Sequence, residues 1–153
     1  MSIREKISSL GLALPTAATP VAAYVPAIKS GNLIFTAGQL PVVDGKLVKQ
    51  GKVGADVSAE DAKELAQICA LNALAAISLV ADLDQIERVV RVGGFVNCAP
   101  GFTAIPGVVN GASELLIKIF GDVNGKHART AVGVAELPLN APVEIELIVQ
   151  LKS

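Results

Sequence analysis

Residues 127–151 read HARTAVGVAELPLNAPVEIELIVQL. These are two β-rich runs, Ala128 to Glu136 and Val143 to Leu151, joined by Leu137-Pro138-Leu139-Asn140-Ala141-Pro142. Side chains of a strand alternate between two faces, so each run sorts into two sets. In the first run, Thr130, Val132 and Val134 are expected to face a helix layer. His127, Arg129, Ala131, Gly133 and Ala135 are expected on the other face. In the second run, Val143, Ile145 and Leu147 suit the helices, while Glu144, Glu146 and Ile148 point outward. The outward face is then small and apolar with a few charges set into it, as in an interface that contains a site.

Arg129 is the candidate anchor of that site. A guanidinium makes two parallel hydrogen bonds to a carboxylate, and Ala131 and Gly133 leave room beside it. If the two runs form a hairpin around residues 137–142, Glu144 pairs near Ala135. It then lies about six residues, or roughly 20 Å, from Arg129 along the sheet. On that premise Glu144 shares a pocket with Arg129 only by coming from a neighbouring subunit.

Working outward, Ile86 to Asn97 reads as a strand rich in Val, with Gly93-Gly94 marking a bulge or close packing. Cys98 to Gly107 reads as a loop and Gly111 to Phe120 as a helix stopped by Gly121. Ser58, with Asp61 three residues on, caps a longer helix whose apolar stripe is Leu65, Ile68, Cys69, Ala75, Ala76 and Leu79. Upstream, Tyr24 to Lys29 and Leu33 to Ala37 flank a turn at Ser30-Gly31-Asn32. A second hairpin turns at Asp44-Gly45. Ile3, Ile7 and Leu10 are spaced for a short docking helix. Arg4 and Lys6 ahead of Leu10 to Leu14 faintly mimic a secretory signal, but Glu5 and Pro15 break the pattern. The order hairpin, helix, strand, helix, hairpin predicts an α+β domain: one mixed sheet with two helices on one face.

The chain has 153 residues, enough for one core, and a formal net charge of −1. Without a basic run, and with only four Phe and one Tyr, it is a poor nucleic-acid binder. Hydrophobic residues make up 52 % of it, yet Leu71 to Leu83 is too short and too broken to span a membrane. The surplus apolar surface points to a homo-oligomer. Cys69 and Cys98 form no CxxC and have no metal-ligand company, so a reducing cytoplasm suits both and no metal is expected.

Asn32-Leu33-Ile34-Phe35-Thr36-Ala37-Gly38-Gln39-Leu40-Pro41 resembles the GNLVFTSGQIP motif of the RidA (YjgF-type) reactive-intermediate deaminases. Ala128-Arg129-Thr130-Ala131-Val132, then Leu137-Pro138 and Val143-Glu144-Ile145-Glu146, is similar to that family's ending, and Asn72 sits where its first helix has Asn-Leu. The similarity runs from about Pro20 to Val149 and implies a family domain at 20–153 behind an extension at 1–19. It implies a chorismate-mutase-like fold and a homotrimer with clefts between subunits. In well-understood members those clefts hydrolyse 2-imino or enamine acids to 2-keto acids and ammonia, with no metal or cofactor. Arg129 matches the arginine that grips the substrate carboxylate, and Glu144 the glutamate that positions water. Gly38 and Ala131 match positions whose backbone lines the pocket, and Tyr24 the tyrosine at its mouth.

The departures define a divergent subgroup. Ala22-Ala23-Tyr24-Val25-Pro26-Ala27 replaces GPYSQA, and Ala37 replaces the serine of SGQ. Ala131 stands for a frequent cysteine and His127 for a proline. The segment from Phe102 to Ser113 is lengthened, so Ser113 or Asn110 takes the place of a family asparagine. His127, the only histidine, could shuttle a proton, although a strand start favours an ordinary solvent-side residue. Three functions follow from the resemblance: an imine deaminase, a small-carboxylate (keto-acid) binder without turnover, and an endoribonuclease. Neutral charge, few aromatics and the absence of a histidine pair weigh against the last.

Overall fold

The computed structural model describes residues 1–20 and 22–153. Its axis is β5 (Ile86–Asn97, 12 residues), whose Val89, Val92 and Val96 are fully buried. A strand this long and apolar needs partners on both edges. One edge takes β6 (Ala128–Val134) in parallel, and the other takes β7 (Val143–Leu151) antiparallel. Beyond β7 lie β2 (Leu33–Thr36) and β1 (Ala27–Ser30), completing the order β1-β2-β7-β5-β6. The β1–β2 turn uses Gly31 at φ +61°, a conformation in which a Cβ is strained. The second predicted hairpin is a separate ribbon of β3 (Val42–Val43) and β4 (Lys46–Leu47).

Helix α2 (Ala59–Ile77) starts where predicted, with the Ser58 hydroxyl accepting from the Asp61 amide at 3.1 Å. It buries Leu65, Cys69, Ala75 and Ala76, whereas Leu79 lies beyond its end and is 59 % exposed. Helix α3 (Ile105–Asn124) begins six residues before the predicted Gly111, because Pro106 in its first turn forfeits no intrahelical bond. Gly121, at φ +85°, kinks it where the sequence placed its end. At Gly111 a Cβ would sit 1.9 Å from the Lys63 carbonyl oxygen, so α2 and α3 touch backbone to backbone. The short α1 (Ile3–Ser9) carries a Ser2–Glu5 capping box and drives Ile7 fully into the same core.

Two expectations are overturned. First, β6 and β7 are not a hairpin, since β5 lies between them. The α3 crossover returns β6 parallel to β5, and residues 135–142 then pass over the end of β5 to reach its other edge. That connection is too long for a tight hairpin turn. Asn97, fully buried at the end of β5, pins it by donating to the Ala141 carbonyl and to Asn140 Oδ1, both at 3.2 Å.

Second, the faces of β6 are the reverse of those expected. Ala131 pairs with Gly94, above which a Cβ would strike Val109 of α3 at 2.5 Å. Arg129, Ala131 and Gly133 therefore lie under α3, while Thr130, Val132 and Val134 face the uncovered side. Ala131 and Gly133 are small because the helix approaches closely, not because a pocket lies above them. A Cβ on Gly133 would meet Cys98 Sγ and Ile105 Cδ1 at 3.0 Å. The alternation of β7 is as expected, with Val143, Ile145 and Leu147 buried and Glu144 and Glu146 half-buried on the opposite side. The uncovered face carries the cross-strand row Ile28, Phe35, Ile148 and Arg91. On it Ile28 is 58 % and Val132 39 % exposed.

Candidate functional site

The predicted site residues fall into two groups that one chain does not bring together. The first group is built by α3 and β6. Arg129 Nη1 donates to Asn110 Oδ1 at 2.7 Å and to Ser113 Oγ at 3.2 Å, while Nη2 reaches the Pro106 carbonyl at 3.5 Å. A guanidinium has five N–H donors. Nη1 is thus held by two side chains of the helix, and Nη2 makes only a longer contact with its first turn. Nε meets no acceptor among the described residues, so the Nε–Nη2 edge, the fork a carboxylate takes side-on, is the least engaged part of the group.

His127 stands behind this fork rather than in solvent. Its Nδ1 is 2.6 Å from the Gly125 carbonyl and its Nε2 is 2.9 Å from Ser113 Oγ. Burial holds the imidazole pKa below its ordinary value; the bond to Gly125 pulls it back and the Arg129 charge lowers it again. On its other side His127 borders an open hollow of about 420 Å³, lined also by Arg88, Lys126 and Gln150. Arg129 does not line that hollow. Ala131 is half-buried against the core beside Arg129.

The second group gathers around the central strand β7 and the end of β2. Gly38 follows β2, and a Cβ there would fall 2.2 Å from Glu144 Oε1. The glycine is the slot that admits this side chain. Glu146 is seated likewise over Gly93, where a Cβ would be 2.7 Å away. Burial first, and the neighbouring Glu146 second, push the Glu144 carboxyl above its ordinary pKa. Ala37 is next to Gly38, its amide donating to Pro26 at 2.8 Å. Tyr24 is exposed in the segment leading to β1. Asn72 of α2 holds the approach to β3, its amide donating to the Leu40 and Val42 carbonyls at 3.1 and 3.0 Å.

Arg129 is on the helix side of the edge strand β6, and Glu144 is on the uncovered side of β7, two strands away. Tyr24 precedes the opposite edge strand. Strand alternation alone puts Arg129 and Glu144 far apart on a shared face; the fold separates them by placing them on opposite faces. Asn97 and the Ser113–His127 contact escaped sequence reasoning. The only hint of the latter was that a histidine and an arginine share one strand parity. Among the described residues no three His, Cys, Asp or Glu side chains gather as metal ligands, and no helix is long and apolar enough to cross a membrane. Burial raises the pKa of both free thiols, Cys69 and Cys98, which makes them weak nucleophiles.

The family model described as "YjgF/chorismate_mutase-like, putative endoribonuclease" matches residues 4–151. Protein TCP17 of Trypanosoma cruzi is 39 % identical over 152 residues, spanning 99 % of this chain and 95 % of that protein. The 2-iminobutanoate/2-iminopropanoate deaminase of Escherichia coli K12 is 30 % identical over 138 residues, spanning 90 % and 94 %. Among solved structures, the protein Atu1372 of Agrobacterium tumefaciens, of unknown function, superposes with a TM-score of 0.88 at 42 % identity, covering 99 % of this chain and 94 % of that one. The chain belongs to the YjgF-type (RidA) family and has its chorismate-mutase-like fold.

Proposed function

We propose that the protein is a cofactor-independent hydrolase of 2-imino or enamine acids, working in clefts between the subunits of a homotrimer in the cytoplasm. The observation that carries this reading is the Arg129 fork. Asn110 and Ser113 of α3 hold Nη1, while the Nε–Nη2 edge, met only by the 3.5 Å contact to Pro106, faces outward as the edge that takes a carboxylate's two hydrogen bonds. The complementary group of Glu144, Gly38, Ala37 and Tyr24 would come from the adjacent subunit. Burial of the apolar row on the uncovered face would supply the association energy.

In the reaction, Arg129 grips the carboxylate and leaves the adjacent imine carbon facing the partner's wall. Glu144 of the adjacent copy accepts a hydrogen bond from a water and turns its oxygen to that carbon. A C–O bond forms and the C–N bond breaks. The two protons of the water end on nitrogen, so an iminium acid plus water becomes a 2-keto acid plus ammonium. The fixed positive charge of Arg129 holds the substrate in register throughout.

A second reading, a keto-acid binder without turnover, is favoured by Ala37, which lacks the hydroxyl of the family's SGQ serine. The test is to generate 2-iminobutyrate in situ and to follow ammonia and 2-oxobutyrate release. The expected result is acceleration over free hydrolysis that vanishes in Arg129→Ala. No acceleration, with 2-oxobutyrate binding still lost in Arg129→Ala, would select the binder. A monomer in a solution mass measurement would overturn the shared cleft.

A further inference from the structure

We infer that His127 is a positioning residue for the anchor: acting through Ser113, it fixes which edge of the Arg129 guanidinium is offered to a ligand. The inference rests on Arg129 being the carboxylate anchor and extends that reading to a residue pair.

The Gly125 carbonyl can only accept, so the ring nitrogen 2.6 Å from it, Nδ1, carries the proton. The neutral ring, favoured by burial, then has a bare lone pair at Nε2. The Ser113 hydroxyl, 2.9 Å away, must donate to it. With its single proton committed, Ser113 Oγ presents only lone pairs to Arg129 Nη1 at 3.2 Å. Asn110 Oδ1 takes the other Nη1 proton at 2.7 Å. The direction of every bond in the series Arg129 to Ser113 to His127 to Gly125 is therefore dictated from the backbone carbonyl outward. Without the histidine acceptor, the Ser113 proton is free to turn toward Nη1, which repels it. The guanidinium can then swing, and the carboxylate edge is no longer held.

Ser113 is 8 % exposed, so water competes poorly for the same bonds and the order imposed by His127 persists. Neither Glu144 nor any other carboxylate pairs with Arg129 among the described residues, so this helix-side series is what holds the side chain there.

The two carboxamide residues divide the two halves of the ring. The terminal group of Gln lies near Nε2 and can accept from Ser113 but gives up Gly125. That of Asn lies near Nδ1 and keeps Gly125 but gives up Ser113. We expect His127→Gln to bind 2-oxobutyrate within about threefold of wild type. We expect His127→Asn and Ser113→Ala each to bind it about tenfold more weakly, the weight of one hydrogen bond to a charged group. A purely structural histidine would give the opposite order, with Gln the worse, and that order overturns the proposal. Thermal unfolding of each variant reports folding separately. Arg129→Ala separates the two levels. If it binds normally, the anchor reading itself fails; if it loses binding while Asn and Gln at 127 behave alike, only the positioning role fails.

A ligand-independent check uses the fact that the chain has one histidine. Its imidazole nitrogen resonances must show protonated Nδ1 and unprotonated Nε2 at neutral pH. A ring with the proton on Nε2 would overturn the proposal whatever the binding data.

Discussion

Replacing Gly38 by Ala offers a way to move the Glu144 carboxylate without touching it. The new Cβ would sit 2.2 Å from Oε1, 2.8 Å from Cδ and 3.1 Å from Cγ of Glu144, against ordinary contact at 3.4 Å and beyond. The carboxylate must retreat by about 1.2 Å. It is the far end of a flexible side chain, so the retreat is a rotamer change rather than a backbone strain. Gly38 does not occupy a positive-φ conformation, so alanine is tolerated there and restricts the unfolded chain by about 0.4–1 kcal/mol in favour of folding. Stability should stay within about 1 kcal/mol of wild type, a Tm change of no more than ~2–4 °C. A reacting group displaced by about 1 Å loses on the order of 10²-fold in rate. Turnover of 2-iminobutyrate should fall by about that factor while 2-oxobutyrate affinity, set by Arg129, stays within about twofold. The assay pairs thermal unfolding with imine turnover and calorimetric binding on one preparation. A folded variant with unchanged turnover would show that Glu144 does not direct the water. Equal losses in affinity and rate would show that it merely walls the pocket.

Two further predictions concern stability. Gly111→Ala places a Cβ 1.9 Å from the Lys63 carbonyl oxygen, a backbone atom that cannot rotate away. The two helices must part at a cost of at least ~3 kcal/mol, seen as a Tm lowered by roughly 6–12 °C; an unchanged Tm would contradict the backbone contact. Glu144→Gln should raise stability near neutral pH. The folded state holds the Glu144 proton more tightly than the unfolded chain does, so ionisation destabilises wild type as pH rises from the ordinary carboxylate range through the raised pKa. The advantage of Gln should be full above that window and absent below it in unfolding measured across pH. An advantage that grows as pH falls would reverse the sign and refute the burial of the charge.

Much of the element order was legible because local chemistry decides it. Ser58 caps α2, Gly31 and Asp44-Gly45 make the turns, and Gly121 stops the regular part of α3. The parity of β6 was not legible. Its Thr130, Val132 and Val134 look more suitable for a core than Arg129 and Ala131 do. Yet β6 is an edge strand whose buried side is set by how closely α3 descends on Gly94 and Gly133. No local pattern reports that approach. The Arg129 buttress was half legible, since Asn110 and Ser113 stood out as replacements in a lengthened segment. That α3 starts early enough to aim both at one guanidinium nitrogen depends on the packed helix. The setting of His127 was not legible for the same reason: a strand start is exposed only if no helix end folds back over it.

The sequence by itself determined which elements form, that they make one α+β layer pair, and that an arginine among small residues and a distant glutamate were the groups to follow. Periodicity, capping and turn chemistry act within a few residues, so the chain displays them directly. Only the tertiary structure decided that β5 lies between the last two strands, that Arg129 and Glu144 occupy opposite faces, and that His127 stands behind the anchor. Those outcomes come from contacts between residues far apart in the chain, where a helix crossover and the close approach of backbones fix register and face together.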